Sequence, residues 1–415
     1  MAARGGVSLE KKYIDIFAGC GGLSLGLCNA GWKCVFAIEK NEDAFATLKY
    51  NLVDGLRNFE WADWLPVANH DINDLLKKHK KELENLKGKI PLVVGGPPCQ
   101  GFSMAGQRNA KDKRNQLINS YVKFVKLVMP QYIFFENVHG FTIAFRGCGN
   151  GKEIPASEYI IAQLEQLGYN LESEMVDFST YGVPQKRRRF ILVGCLHGKA
   201  KEFFSILKAN KVKFLERNGL KVSTTISETI GDLLQTNGKI DCPDSPRFFS
   251  GLYGFPTSQY ECFARNGTME KKIPDSHRFA NHRKSTIQLF ERMLRVCPRG
   301  KRLSGKKDNI VGLKKRGVTI LDPHQICHTI TGHPDDYLHY SEPRIMTVRE
   351  CARVQGFPDW FEFKGKYTTG GPFRKIDVPR YSQVGNAIPP LFAEQVGDAL
   401  AEMICRRENG LEFQS

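Results

Sequence analysis

Five short, largely apolar runs alternate with helix-patterned segments over the first half of the chain, and this alternation restricts the fold more than any other feature. The runs are 13–17, 34–38, 90–94, 132–135 and 190–193. Helical spacing fills the intervals at 22–30, 44–50, 73–86, 117–129 and 157–167. Strands that are apolar on both faces need cover on both faces, and helical crossovers supply it in a parallel sheet. The expected fold class is therefore α/β, with a doubly wound, mostly parallel sheet. After Gly194 the pattern degrades: residues 199–345 are rich in Gly, Pro, Lys and Arg, with clear helices only at 200–209 and 284–296. Periodicity returns at 391–403. The expected organisation is a sheet domain at 10–198, completed by 378–415, and a smaller irregular domain at 199–377. No internal repeat is visible.

The irregular region carries the charge. The chain of 415 residues has 60 Lys and Arg against 44 Asp and Glu, a net charge of +16. Residues 271–316 alone hold 15 basic and 3 acidic side chains. A block that dense suits a polyanion, and Arg292, Arg295, Arg299, Lys301, Arg302, Lys306 and Lys307 are the candidate phosphate contacts. A face kept charged only for solubility is the alternative. Hydrophobic residues at 41% exclude a disordered chain. No apolar run approaches the roughly 18 residues of a membrane helix, and Met1–Gly6 lacks the apolar core of a signal peptide. Membrane attachment is not expected, and the twelve cysteines are expected as free thiols. Cys-x-x-Cys pairs are absent, and His324, Cys327, His328, His333 and His339 are irregularly spaced, so no metal is expected.

Four motifs carry chemistry. Phe17-Ala18-Gly19-Cys20-Gly21-Gly22 follows the first strand and opens a helix, where backbone can approach a ligand. Glu39 stands about 20 residues on, at the spacing of a ribose-binding carboxylate, and Asp71-Ile72 precedes another helix. Together they suggest an adenosine-bearing cofactor; a structural turn explains the glycine loop alone equally well, and the spacing disfavours NAD. Gly95-Gly96-Pro97-Pro98-Cys99-Gln100-Gly101-Phe102-Ser103 fixes a thiol in a rigid turn past a buried strand. Glu136-Asn137-Val138 places a carboxylate at a strand end, and Gln185-Lys186-Arg187-Arg188-Arg189 gathers four cations before the last run.

These motifs, with Arg349–Pro358 and Gln383-Val384-Gly385-Asn386-Ala387, stand in the order found in DNA (cytosine-5)-methyltransferases of the bacterial restriction-modification type, and the chain resembles that family from 17 to 387. The resemblance implies S-adenosyl-L-methionine as methyl donor, S-adenosyl-L-homocysteine as product, and no metal. It implies cofactor contacts at Phe17, Gly19, Cys20, Gly22, Leu23, Glu39, Asp71, Ile72, Pro97, Leu117, Asn386 and Ala387. Asn386 is distant in sequence, so the C-terminal segment is expected to fold back onto the first domain. Lys40 departs from the pattern, in which an aromatic residue is sometimes found. In the implied mechanism the Cys99 thiolate adds to cytosine carbon 6. Glu136 holds ring N3 and the exocyclic amine, and Arg189 and Arg187 orient the ring. The base must be flipped from the duplex, with Gln100 and Ser103 on a loop closing over the DNA. Residues 199–377 then become a target recognition domain. The resemblance further implies a cytoplasmic bacterial monomer acting on duplex DNA, with a cognate restriction endonuclease as possible partner. A branch that methylates transfer RNA shares the motifs; the large basic region favours DNA. A catalytically silent DNA-binding regulator would lack Cys99 or Glu136, and both are present. An amino-methylating enzyme would show an Asp/Asn-Pro-Pro-aromatic loop instead of Pro-Pro-Cys.

Overall fold

The computed structural model describes residues 10–98, 116–144, 154–305, 307–308, 310, 312–313, 317–369, 373 and 377–408. Cys99, Gln100, Ser103 and Lys306 lie outside the described residues.

Among the described residues, seven strands precede residue 196: β1 (Lys12–Ile16), β2 (Lys33–Ile38), β3 (Leu92–Gly95), β4 (Tyr132–Val138), β5 (Asn170–Asp177), β6 (Gln185–Lys186) and β7 (Arg188–Cys195). Between them run α1 (Gly22–Asn29), α2 (Glu42–Leu48), α3 (Ile72–Lys78), α4 (Lys80–Asn85), α5 (Gln116–Val128) and α6 (Ala156–Glu165). Six strands form one sheet in the order β2-β1-β3-β4-β7-β5. The first four are parallel, and β7 runs antiparallel to both its neighbours. Leu92, Val93, Val94, Ile133, Phe134 and Phe135 have no exposed surface, as strands covered by helices on both faces require. The single helix expected over 73–86 is two, broken at His79. Strand β5 was not expected: its sequence, Asn-Leu-Glu-Ser-Glu-Met-Val-Asp, is polar because it lies at the sheet edge.

From β1 the chain crosses to β2 on one side and returns to β3 on the other. This reversal opens a crevice at the carboxyl ends of β1 and β3, the usual ligand position in open α/β sheets.

Beyond β7 the helices are α7 (Lys201–Arg217), α8 (Ile226–Ile230), α9 (Gln259–Ala264), α10 (Lys284–Val296), α11 (Val348–Val354), α12 (Arg380–Asn386) and α13 (Pro390–Glu408). The strands are β8 (Lys239–Asp241), β9 (Phe249–Gly251), β10 (Arg302–Leu303), β11 (Val318–Ile320), β12 (Cys327–His328) and β13 (Tyr337–Leu338). Phe290 and Met293 of α10 pack with Leu303, Val318, Ile320, Leu338 and Ile345 into a small core of their own. Phe203, Phe204, Ile206 and Leu207 of α7 instead join the large core, where Phe203 meets Phe134 edge-on. Residues 199–377 therefore contribute to both cores. Helix α13 lies directly on α1: a Cβ on Gly26 would sit 2.4 Å from that of Ala393, and Trp32 Nε1 donates to Gly397 O at 3.0 Å.

The Arg349–Pro358 motif forms α11 and its exit, and its charges are internal. Arg349, Glu350 and Arg353 are fully buried. Arg353 pairs with Asp232 and Asp359, each at 2.7 Å, and Arg349 with Asp275 at 2.9 Å. Arg344 grips Glu350 through two nitrogens, at 2.8 and 2.7 Å. Thr347 and Glu350 close a capping box on the helix. This lattice ties residues 232, 275, 344 and 359 to one helix.

Candidate active site at the carboxyl edge of the sheet

Three loops meet where β1, β3 and β4 end. A Cβ on Gly95 would lie 1.8 Å from Ile16 O, and one on Gly96 would lie 1.9 Å from Glu136 O. Only glycine fits between the two neighbouring strands, which is why the Pro97-Pro98 turn follows a glycine pair. Asn137, 1% exposed, donates to Pro97 O at 3.3 Å and so fixes that turn to the end of β4.

The register explains the next contact. Val138 faces Arg189 and Glu136 faces Ile191 across the antiparallel β4–β7 pair, so Glu136 and Arg189 are diagonal neighbours on one face. Arg189 Nε meets Glu136 Oε1 at 3.0 Å, with the side chains 13% and 14% exposed. Burial raises the Glu136 carboxyl above the usual range, against the opposing pull of Arg189 and Arg187. Arg187 departs from its expected role. Its guanidinium is buried and donates to the carbonyls of Ile330, Gly385 and Ala387 at 3.1–3.2 Å. It binds the C-terminal segment to the sheet, and its charge reaches Glu136 only through space.

On the cofactor side, Phe17 adopts φ +64°, a strained conformation for a bulky residue, at the mouth of the crevice. Glu39 accepts Gly19 N at 2.9 Å through Oε2 and Asn41 N at 2.7 Å through Oε1. The Lys40 amide also holds this carboxylate, which leaves it an acceptor position for a hydroxyl donor. Asp71 caps α3 through Asn73 N at 2.7 Å and pairs with Lys40 at 2.8 Å. Lys40 thus closes this flank with an ion pair. Ile72 and Leu23 are buried, and Leu117 is half-buried on α5, whose Ser120 donates to Asn73 at 2.6 Å. Cys20 is a packing residue: burial pushes its thiol up to about 12, and its Sγ lies 3.5 Å from Gln383 O. A Cβ on Gly22 would lie 2.4 Å from Ile388 O. The segment after α12 therefore rests on the glycine loop, with Asn386 exposed and Ala387 half-buried beside it.

The described cations of the basic block lie elsewhere. Arg292, Arg295, Arg299, Lys301, Arg302 and Lys307 are exposed around the small core. Arg299 donates to Tyr340 O at 3.0 Å, and Arg302 faces Asp336 at 3.6 Å.

Sequence reasoning gave no role to Asn137, Gln185 or Gln383. Gln185 accepts Ile330 N at 3.0 Å, and Gln383 accepts Thr47 Oγ1 at 2.7 Å. Their signal was available, since each stands beside or within a motif.

The family model of C-5 cytosine-specific DNA methylases matches residues 11–402. The chain belongs to that family. The methylase is 30% identical over 404 residues to the type II methyltransferase M.DdeI of Desulfomicrobium norvegicum, covering 95% of this chain and 88% of that one. It is 29% identical over 421 residues to M.XorII of Xanthomonas oryzae pv. oryzae, covering 95% and 85%. Its fold is shared with a prophage-encoded DNA modification methyltransferase of E. coli, at TM-score 0.62, 24% identity and coverage of 95% and 99%. It is shared also with Dnmt2 of S. pombe, at TM-score 0.53, 16% identity and coverage of 96% and 99%. The methylase is a DNA cytosine-5-methyltransferase, and its family works with S-adenosylmethionine. The crevice suits that group: Glu39 offers acceptors to a ribose diol, and the glycine loop brings backbone to the N-terminus of α1. No helix among the described residues is long and apolar enough to cross a membrane.

Proposed function

We propose that this methylase transfers a methyl group to carbon 5 of a cytosine flipped out of duplex DNA, through a covalent bond from Cys99, as the modification half of a restriction-modification system. The observation that carries the reading is the Glu136–Arg189 pair, held by Asn137 against the turn that leads into Cys99. S-adenosylmethionine supplies the methyl group when bound. Cys99 adds as a thiolate to carbon 6, and the electron pair moves into the ring so that carbon 5 becomes nucleophilic. The raised carboxyl of Glu136 donates to ring N3 as charge arrives there, and its other oxygen accepts from the exocyclic amine. Arg189 keeps the carboxyl oriented. After transfer, a base removes the carbon 5 proton, the carbon 5–carbon 6 double bond re-forms and the thiolate leaves.

Phe17, Gly19, Gly22, Leu23, Glu39, Asp71, Ile72, Pro97, Leu117, Asn386 and Ala387 surround the donor in this reading; Cys20 supports the loop from beneath. Residues 199–377 form the target recognition domain, with Gln100 and Ser103 on a loop that closes over the DNA. The methylase acts as a monomer. The type II names of its relatives support a cognate endonuclease reading the same site.

A duplex carrying 5-fluorocytosine tests the chemistry, because fluorine blocks the final elimination. Wild type should become trapped on it as a covalent adduct stable to denaturation. Cys99→Ser should form none and lose methyl transfer while still binding duplex. A serine variant with a substantial turnover rate would sink the covalent step.

A further inference from the structure

An open cavity of about 290 Å³ is lined by Asp244, Ser245, Arg278, Lys366, Tyr367 and Arg380 among others, none of them a residue of the site described above. At about 30 Å³ per water it holds roughly ten waters. It joins four parts of the chain: the turn after β8, Arg278 ahead of α10, the segment at 365–368, and the start of α12. Gly365 beside it touches Asp43 of α2, where a Cβ would come within 2.3 Å of the carboxyl carbon.

Its cations are not equivalent. Arg380 is fully engaged, with Asp244 at 2.6 Å and with Gly365 O and Ser276 Oγ at 3.0 Å each. Lys366 pairs with Asp377 at 2.9 Å. Arg278 differs. Its guanidinium is sandwiched between two aromatic rings, 4.1 Å from the centroid of Phe248 and 3.8 Å from that of Tyr367. It makes one side-chain hydrogen bond, to Ser245 Oγ at 2.7 Å, and has no carboxylate within 4 Å among the described residues. Burial lowers its affinity for its proton. A guanidinium has five N–H donors, all in its plane. Rings on both faces leave the edge as the only route to a ligand, and Ser245 occupies one donor of that edge. A rigid, half-desolvated fork of this kind matches a tetrahedral oxyanion that accepts two parallel bonds. Of the three cations in the lining, Arg380 is matched by Asp244 and Lys366 by Asp377, so among the described residues Arg278 is the one left to meet an anion.

We infer that this cavity is a phosphate site in which Arg278 is the bidentate donor. The phosphate comes either from the DNA backbone or from a free phosphate compound, and in both cases it ties the recognition region to α2 and α12. The DNA source rests on the duplex-binding reading above; the free source does not.

Two measurements on the full chain separate the sources. The first is the melting midpoint in sodium phosphate against sodium chloride at equal ionic strength. The second is the salt dependence of duplex affinity. For a free-phosphate site, phosphate raises the wild-type midpoint by about 2 °C or more, and Arg278→Gln abolishes the rise with the duplex salt slope unchanged. For a DNA phosphodiester, phosphate has no such effect, and Arg278→Gln makes the slope of log K against log salt shallower by about 0.9. Ser245→Ala leaves the stack intact and frees the fork to turn, so it weakens the same readout several-fold. It decides the matter if Arg278→Gln does not fold. Wild-type behaviour of the folded variants in both measurements overturns the site. A wild-type chain that binds no duplex at all strikes the DNA reading, and the phosphate melt still decides the cavity.

Discussion

Two glutamates in this methylase each face an arginine: Glu136 at the end of β4 and Glu350 in α11. Burial pushes both carboxyls up, yet they end in opposite places. Glu136 has a single nitrogen of Arg189 at 3.0 Å, and burial prevails. Glu350 has both terminal nitrogens of Arg344 and the amide of Thr347 at 2.7 Å; the charge and hydrogen bonds of Arg344 overcome burial and hold it at about 2. A carboxylate whose acceptors are all filled is a structural group. One left partly unfilled at a crevice is available to a substrate. The same two residue types thus make a strut in one region and a reactive pair in the other.

The sharpest way to break this contrast is Arg353→Met, which takes from Asp232 and Asp359 their nearest cation and, among the described residues, leaves them only Arg265 at 3.5 Å and Arg349 at 3.8 Å. It should cost about 3–5 kcal/mol of stability, with near-normal turnover per folded molecule; denaturant titration alongside initial rates checks both. A small stability loss would mean that the α11 lattice is not a strut. Glu136→Gln should show the reverse, slowing methyl transfer by about 10²-fold or more with little change in melting. Because the Glu136 carboxyl is raised and acts as a proton donor, wild-type rate should also fall on the alkaline side, and the glutamine variant should lose that limb. An unchanged rate would return Glu136 to a structural role.

The pH dependence of stability sharpens the comparison further. Burial lowers His277 from 6.5 to about 4 and His339 from 6.5 to about 3. Both are neutral in the fold, and the unfolded chain takes up their protons first. Stability should therefore be full above pH 6.5 and decline as pH falls toward 3, with the Glu350 contribution lost in addition between 4.5 and about 2. Melting midpoints that stay flat from pH 7 to 4.5 would contradict the burial of these imidazoles. The smallest effect on stability belongs to the outer cations. Alanine at Arg292, Arg295, Arg299 and Lys301 should leave melting near the parent's and weaken binding to all duplexes, with a shallower salt slope. A loss confined to one DNA sequence would instead place base reading on these side chains.

The sheet was legible because burial on both faces writes an apolar run into each central strand. Strand β5 was not, because an edge strand needs only one buried face and Glu172 and Glu174 mask it. Glu136 could be picked out because a carboxylate leaving an apolar strand has few other uses. The role of Arg187 could not: its partners are main-chain carbonyls at 330, 385 and 387, and carbonyls leave no trace in a sequence. The α11 arginines were similarly opaque. Their acids stand at 232, 275 and 359, scattered among residues that read as a basic surface.

The seating of α12 and α13 on the glycine loop has a consequence in time. A chain emerging from the ribosome can pair β1 to β4 early, but Gly22 meets Ile388 and Cys20 meets Gln383 only when nearly four hundred residues have been made. The cofactor crevice is therefore assembled last, and a nascent chain stalled before residue 380 has the sheet and its strained loop without the segment that packs against them. Methylation capacity should appear abruptly once the residues of α12 and α13 have been made, not grow with chain length.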